Sequence, residues 1–361
     1  MTTQQSSSNK FKHRQLSVGG LMRRYGTLIG FLLVVAIFWW QKPQTFMTIP
    51  NWVNITRQVS ILGVVAFAMT VVMVTGDFDL SVGSMASLAG IIAGLLFQQE
   101  QSLLVAVIAA LMVGLVGGLI NGILVSYIGI SAFVATLGML TVFRGLALYM
   151  SGGASIYGRA IPETFSNFGR GGFELGTLNE QRVFLPNLTI LAAIIFIVVL
   201  ILLGQTVLGR RLYAIGGNME AARLGGVRVN PLRLLTFVFS GVGASIAGLM
   251  LFSRLSTAHP TQGEGLMLKA IAAVFLGMTM TEEGEPHVLG TLLGVLILGV
   301  LANGLTQLRI DTYIQEISTG VIIVLAVALS SLSHKQINIL KPIQQFFRNS
   351  GSQAEARQLN D

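Results

Sequence analysis

The chain has no cysteine, which excludes disulfides, thiolate metal sites and cysteine nucleophiles. Charge is also scarce: 11% of the 361 residues are Asp, Glu, Lys or Arg, against about 25% in an ordinary soluble domain. There is no G-x-x-x-x-G-K-[ST] run to cradle the phosphates of ATP, and no G-x-S-x-G nucleophile elbow. The four histidines, His13, His259, His287 and His334, lie far apart without metal-ligand spacing. No residue set for catalysis or for a metal remains.

What fills the chain is apolar. Hydrophobic residues make up 53% of it and its mean hydropathy is +0.73, the composition of a multi-spanning membrane protein. A bilayer core about 30 Å thick needs roughly 20 apolar residues per helix. Windows of that kind fall at 25–40, 59–75, 80–97, 103–125, 131–150, 186–204, 233–253, 267–281, 288–305 and 313–332, the second and eighth of them short. The expectation is an all-α integral membrane protein of about ten transmembrane helices with both termini cytoplasmic. With that orientation fourteen basic residues fall on the inside and seven on the outside, as the positive-inside rule requires. The net charge of +8 therefore reads as orientation and attraction to anionic lipid headgroups; nucleic acid is not implied.

Polar composition marks residues 1–24 as a disordered cytoplasmic tail and 333–361 as a second cytoplasmic tail, disordered over 350–361, around a transmembrane domain at 25–332. Two hydrophilic connections interrupt that domain, an extracytoplasmic one at 151–185 and a cytoplasmic one at 205–232. Small residues four apart, such as Gly114, Gly118 and Gly122 or Ala244 and Gly248, read as helix-packing seams. The Asn-Gly pairs at 121–122 and 303–304 sit in similar contexts at opposite ends of their spans. An inverted repeat accounts for that echo, and so does a chance match of common residues.

Several polar residues stand out against this background. The stretch VTGDFDLSVGS at 74–84 sets Asp77 and Asp79 between two apolar runs. Asp79 suits a cap on the third span, accepting a backbone N–H two or three residues on. Asp77 is left to pair with a basic group or to line an inner gate. Arg144 lies near the middle of its span and calls for a carboxylate partner or a wet cavity. Lys269 is close enough to a membrane edge for its stem to carry the ammonium to water. In the cytoplasmic connection Asn218 can cap a short helix, Glu220 suits the positive end of that helix, and Gly225-Gly226 can stop it.

GDFDLSVGS, AFVATLGMLTVFRGLAL, GRRLYAIGGNMEAARLGGVRV, IAAVFLG, LGTLLGVLILGVLANGL and YIQEISTGVIIVLAV occur in that order. Together they resemble the permease subunits of carbohydrate ABC importers of the ribose, arabinose and xylose type, over residues 25–332. The resemblance implies a multi-pass permease of the bacterial inner membrane that pairs with a second copy or a paralogue. It implies ABC ATPase subunits that bind ATP and Mg, so that this chain carries no cofactor, and an extracytoplasmic sugar-binding protein. Gly216, Gly217, Asn218, Glu220, Ala221, Ala222 and Arg223 match the family's ATPase-coupling motif. Asp77, Asp79, Ser81 and Arg144 are then the candidates for the substrate pathway or gate. Where many members read close to GYELDAIAAVVIGG and then a Gly-rich turn, this chain has Met267 and Lys269 in place of two acids, and Glu282, Glu283 and Glu285 in the turn. The alternative class is an ion-coupled secondary transporter or channel, for which only Arg144 is well placed.

Overall fold

The computed structural model describes residues 18–178, 181–280 and 284–335. Its helices begin with α1 (Val18–Gln41), α2 (Ile49–Met73), α3 (Val82–Gln98), α4 (Leu103–Ser126) and α5 (Ala132–Ser151). A two-residue strand β1 (Ile156–Tyr157), helix α6 (Glu163–Arg170) and the strands β2 (Gly172–Leu178) and β3 (Gln181–Pro186) follow. Then come α7 (Asn187–Gln205), α8 (Val207–Gly217), α9 (Met219–Leu224) and α10 (Val229–Leu255). The strand β4 (Thr257–Ala258), α11 (Glu264–Met278), α12 (Val288–Gln307) and α13 (Thr312–Lys335) complete the order.

Each of the ten apolar windows falls on a helix. Six of these, α2, α4, α5, α7, α10 and α12, are long and apolar enough to cross a membrane. The second window is not short, because α2 reaches back to Ile49 and takes in Asn51, Arg57 and Gln58. Pro50 fits the first turn of that helix, where no intrahelical N–H bond is lost. Helix α1 starts at Val18, so the later part of the expected 1–24 tail is helical; residues 1–17 and 336–361 lie outside the described residues. The connection at 151–185 is not all helix, since β2 and β3 form an antiparallel hairpin there and β1 pairs with β4.

Burial separates an inner set of helices from an outer one. The most apolar window of α2 is 83% buried, whereas those of α5 and α7 are 22% buried. The outward faces of α4 and α7 carry exposed Leu104, Ile108, Met112, Val116, Ile194 and Ile201, which is what a lipid-facing surface needs. Between α4 and α10 the expected small-residue seam is present. A Cβ on Gly114 or Gly118 would strike the Gly241 or Phe237 carbonyl oxygen. Lipid gives helices no hydrophobic reason to associate, so this close backbone approach and its dispersion contacts supply the attraction. At the end bearing β1 to β4, Phe97, Phe165 and Phe252 pack with ring centroids 4.9 to 5.9 Å apart.

Candidate functional site

The end of the bundle bearing α8 and α9 gathers most of the polar residues singled out above. After α2 the chain turns at Val74 to Gly76, where Gly76 takes the left-handed φ of +82° that glycine tolerates. Residues 77–79 then run without regular structure before α3 begins. Asp77 is held by Arg233 of α10 in a two-pronged pair, Nε to Oδ2 at 2.8 Å and Nη2 to Oδ1 at 2.7 Å. The Thr75 hydroxyl adds a third donor at 3.3 Å. Such a planar fork is the strongest geometry open to a carboxylate.

Asp79 is fully buried and is held by hydroxyl and amide donors. Its Oδ1 accepts from the Ser81 N–H at 3.0 Å and the Ser81 hydroxyl at 2.6 Å, and its Oδ2 accepts from the Ser240 hydroxyl at 2.7 Å. Asn121 of α4 donates to Ser81 Oγ at 2.8 Å. The bond from two residues on is the one expected of a cap, but α3 begins at Val82 with Ser81 in the cap position. The carboxylate instead knots the start of α3 to α4 and α10. Ser240 lies seven residues beyond Arg233 on α10, about 10 Å along the axis at 1.5 Å per residue. The stretch from Asp77 to Asp79 therefore climbs along α10, and α3 starts beside the middle of that helix, deeper than an edge position. Thr136 of α5 pins the climb, accepting from the Leu80 N–H at 3.1 Å and donating to the Phe78 carbonyl at 3.3 Å.

The sequence leads one to expect a single short helix in 205–232, and the chain forms two. The first, α8, was hidden by its glycines. Helix α9 has the expected cap, Asn218 Oδ1 accepting from the Ala221 N–H at 2.9 Å, and stops at Gly225. Ile215, Ala222 and Val229 form a small buried cluster that fixes α9 to α8 and α10. Outward it presents Glu220 and Arg223, paired at 3.2 Å, and Leu224, which is 88% exposed. Helix α8 is moored twice. Gly216 lies so close to the Val74 carbonyl at the end of α2 that no Cβ fits, whereas nothing lies within 4 Å of a Cβ on Gly217. Tyr213 donates to the Pro286 carbonyl at 2.9 Å, and burial with the Glu285 charge nearby pushes its pKa up to about 12. A cavity of about 380 Å³ opens between these moorings, with Phe78 and Phe275 stacked on its wall at 6.2 Å.

Arg144 does not join this group. It pairs with Glu264 at the start of α11, Nε to Oε1 at 2.9 Å, with both side chains about half exposed. Lys269 also has a partner at the surface, its Nζ lying 3.0 Å from Glu316 of α13, with the side chains 35% and 60% exposed. Glu282 and Glu283 lie outside the described residues. Among the described residues no three His, Asp or Glu side chains come together to hold a metal. The partners that sequence reasoning missed are Arg233, Ser240, Asn121 and Glu264. Only the Asn121-Gly122 echo drew any of them to notice.

Residues 51–327 match the family model described as branched-chain amino acid transport system / permease component. The chain is 38% identical over 319 residues to the ribose import permease protein of Bacillus subtilis strain 168, covering 88% of this chain and 96% of that one. It is 34% identical over 313 residues to the D-allose transport system permease protein of Escherichia coli K12, covering 86% and 93%. With the L-arabinose ABC transporter permease protein of Azospirillum brasilense it shares 32% over 321 residues, covering 89% and 91%.

Proposed function

The chain belongs to the branched-chain amino acid transport system / permease component family, and on that premise we propose that it is the membrane-spanning permease of an ATP-driven importer for a pentose or similar small sugar. The relatives named for ribose, allose and arabinose support the sugar reading over an amino acid. All ten apolar helices cross the membrane, with α8 and α9 on the cytoplasmic side. ABC ATPase subunits, a second copy or paralogue and an extracytoplasmic sugar-binding protein complete the machine. ATP is hydrolysed in the partner subunit; this chain supplies the passage.

The observation that carries the reading is the build of the α8–α9 unit. A capped helix with an exposed charged pair and an exposed Leu224 suits docking into a cleft of an ATPase. Its two moorings reach the end of α2 through Gly216 and the lead-in to α12 through Pro286. Closure of the ATPase then tilts two central helices at once, and binding-protein docking at the other end selects the opposite arrangement. In membranes of this kind, uptake of labelled ribose, arabinose or allose by the assembled transporter requires ATP and the binding protein, and persists when ion gradients are collapsed. A second reading, an ion-coupled carrier, has the buried Asp79 in its favour. Uptake that stops with an ionophore and ignores ATP replaces the first reading with the second.

A further inference from the structure

The Arg144–Glu264 pair occupies an anomalous place. Arg144 lies twelve residues past the first residue of α5 and seven before its last, about 18 Å and 10 Å from the two ends. At that depth a charged side chain facing hydrocarbon costs a few kcal/mol or more. Yet the side chains of Arg144 and Glu264 are 49% and 42% exposed. The outward faces of α4 and α7 solve the same problem by carrying apolar residues, whereas α5 beside Arg144 presents Thr141 and two glycines, Gly138 and Gly145, with open space over both. Thr141 and the two glycines leave a shallow gap beside the pair, bordered by exposed Leu137 and Leu148.

The pair is also only partly used. Its contact is through Arg144 Nε, and among the described residues the guanidinium makes no hydrogen bond to any other group. Glu264 stands on a firm base, because the neighbouring Gly263 N–H donates to the buried Ser87 hydroxyl at 2.8 Å and packs against Gly83 of α3. A rigid carboxylate with a spare oxygen beside a guanidinium with spare N–H donors matches two adjacent hydroxyls, one donating and one accepting.

We propose that Arg144 and Glu264 form a solute-contacting station on the aqueous passage, where neighbouring hydroxyls of a polyol replace water on the free edges of the pair. This rests on the importer reading and assigns to it residues that touch the transported sugar. It also accounts for the lone acid at the start of α11 in a chain that has Met267 and Lys269 where acids are expected.

The absence of native cysteine makes the test direct. Thr141→Cys and Gly145→Cys in the full chain, within the assembled transporter, each introduce a sole thiol, with Val116→Cys on the lipid-facing side of α4 as control. A charged, membrane-impermeant methanethiosulfonate is expected to label positions 141 and 145 at least about tenfold faster than 116, and the transported sugar is expected to slow that labelling. Labelling no faster than at 116 overturns the proposal, whether lipid or a dry contact with a second copy is the cause. In parallel, Glu264→Gln and Arg144→Lys are expected to raise KM for the sugar about 10- to 100-fold, the scale of one or two charge-assisted hydrogen bonds, while membrane abundance and melting temperature hold. The exchange Arg144→Glu with Glu264→Arg keeps the ion pair; recovery of parental KM by that variant assigns the pair a structural role and also overturns the proposal. Failure of the importer reading shows separately, as a parent protein without ATP-dependent uptake whose position 141 still labels.

Discussion

Asp77 and Arg144 are both charges set among apolar spans, and the fold treats them in opposite ways. The Asp77–Arg233 pair is closed: two short contacts and side chains only 9% and 15% exposed. The Arg144–Glu264 pair is open, with half its surface free. A closed pair holds helices in register and is too enclosed to meet a solute; an open one is held rigidly enough to meet something else. The same contrast recurs at the α9 end, where Gly216 is pressed on the end of α2 while Gly217 faces space. Burial thus sorts the polar residues into those that brace the bundle and those that work on a partner.

The largest effect expected from testing that division is at the closed pair. Asp77→Ala leaves the Arg233 guanidinium buried without its carboxylate, a loss of about 3–5 kcal/mol, whereas Glu264→Ala costs about 0–1 kcal/mol as an exposed pair does. Melting of the purified protein in detergent measures both, and equal losses break the comparison. Next is Gly216→Val, which forces α8 away from Val74 and is expected to cut sugar uptake at least about tenfold, against little change for Gly217→Val; uptake assays on the two variants at matched abundance decide it. Exchanging Glu220 and Arg223 together for alanine is expected to leave melting unchanged and to uncouple ATP hydrolysis from uptake, read as hydrolysis per sugar transported. Coupled uptake at the parental ratio removes α9 from the ATPase contact.

The smallest effect concerns pH. Burial lowers the pKa of His287 at the start of α12 below its ordinary 6.5, and among the described residues its buried Nδ1 has no hydrogen-bond partner. The unfolded chain then takes up a proton that the folded protein resists, so stability is full above about pH 6.5 and declines as pH falls below it. His287→Asn, which keeps a residue suited to the start of a helix, is expected to flatten that decline in melting curves taken at pH 5.5 and 7.5.

The apolar helices were legible because lipid leaves little choice: a crossing must be apolar and helical, and every window found its helix, six of them long and apolar enough to cross a membrane. The start of α2 was not, since Asn51, Asn54, Arg57 and Gln58 read as a loop until Asn51 is seen accepting a bond from Asn303 of α12 at 2.9 Å. The α9 cap was readable from Asn218, Glu220 and Gly225 because capping is local. Helix α8 was not, because Gly216 serves a contact with the end of α2 that no local pattern reports. Asp77 and Arg144 were recognised as needing partners, but Arg233 lies 156 residues from Asp77, and periodicity is silent at such separations. The depth of Asp79 likewise follows from Ser240 on another helix.

The two-residue ladder joining Ile156 to Ala258 bears on biogenesis. Its strands lie on either side of roughly a hundred residues, which a ribosome adds in about 5–20 s at 5–20 residues per second. Until α10 has been inserted and β4 has emerged beyond it, β1 has no strand to pair with, although Ile156 can already lie against Gly94 of α3. Closure of that ladder therefore marks the moment at which the two halves of the chain are joined on the face where β1 lies, and a ribosome-arrested chain ending before β4 is the form in which that face remains open to chaperones and proteases.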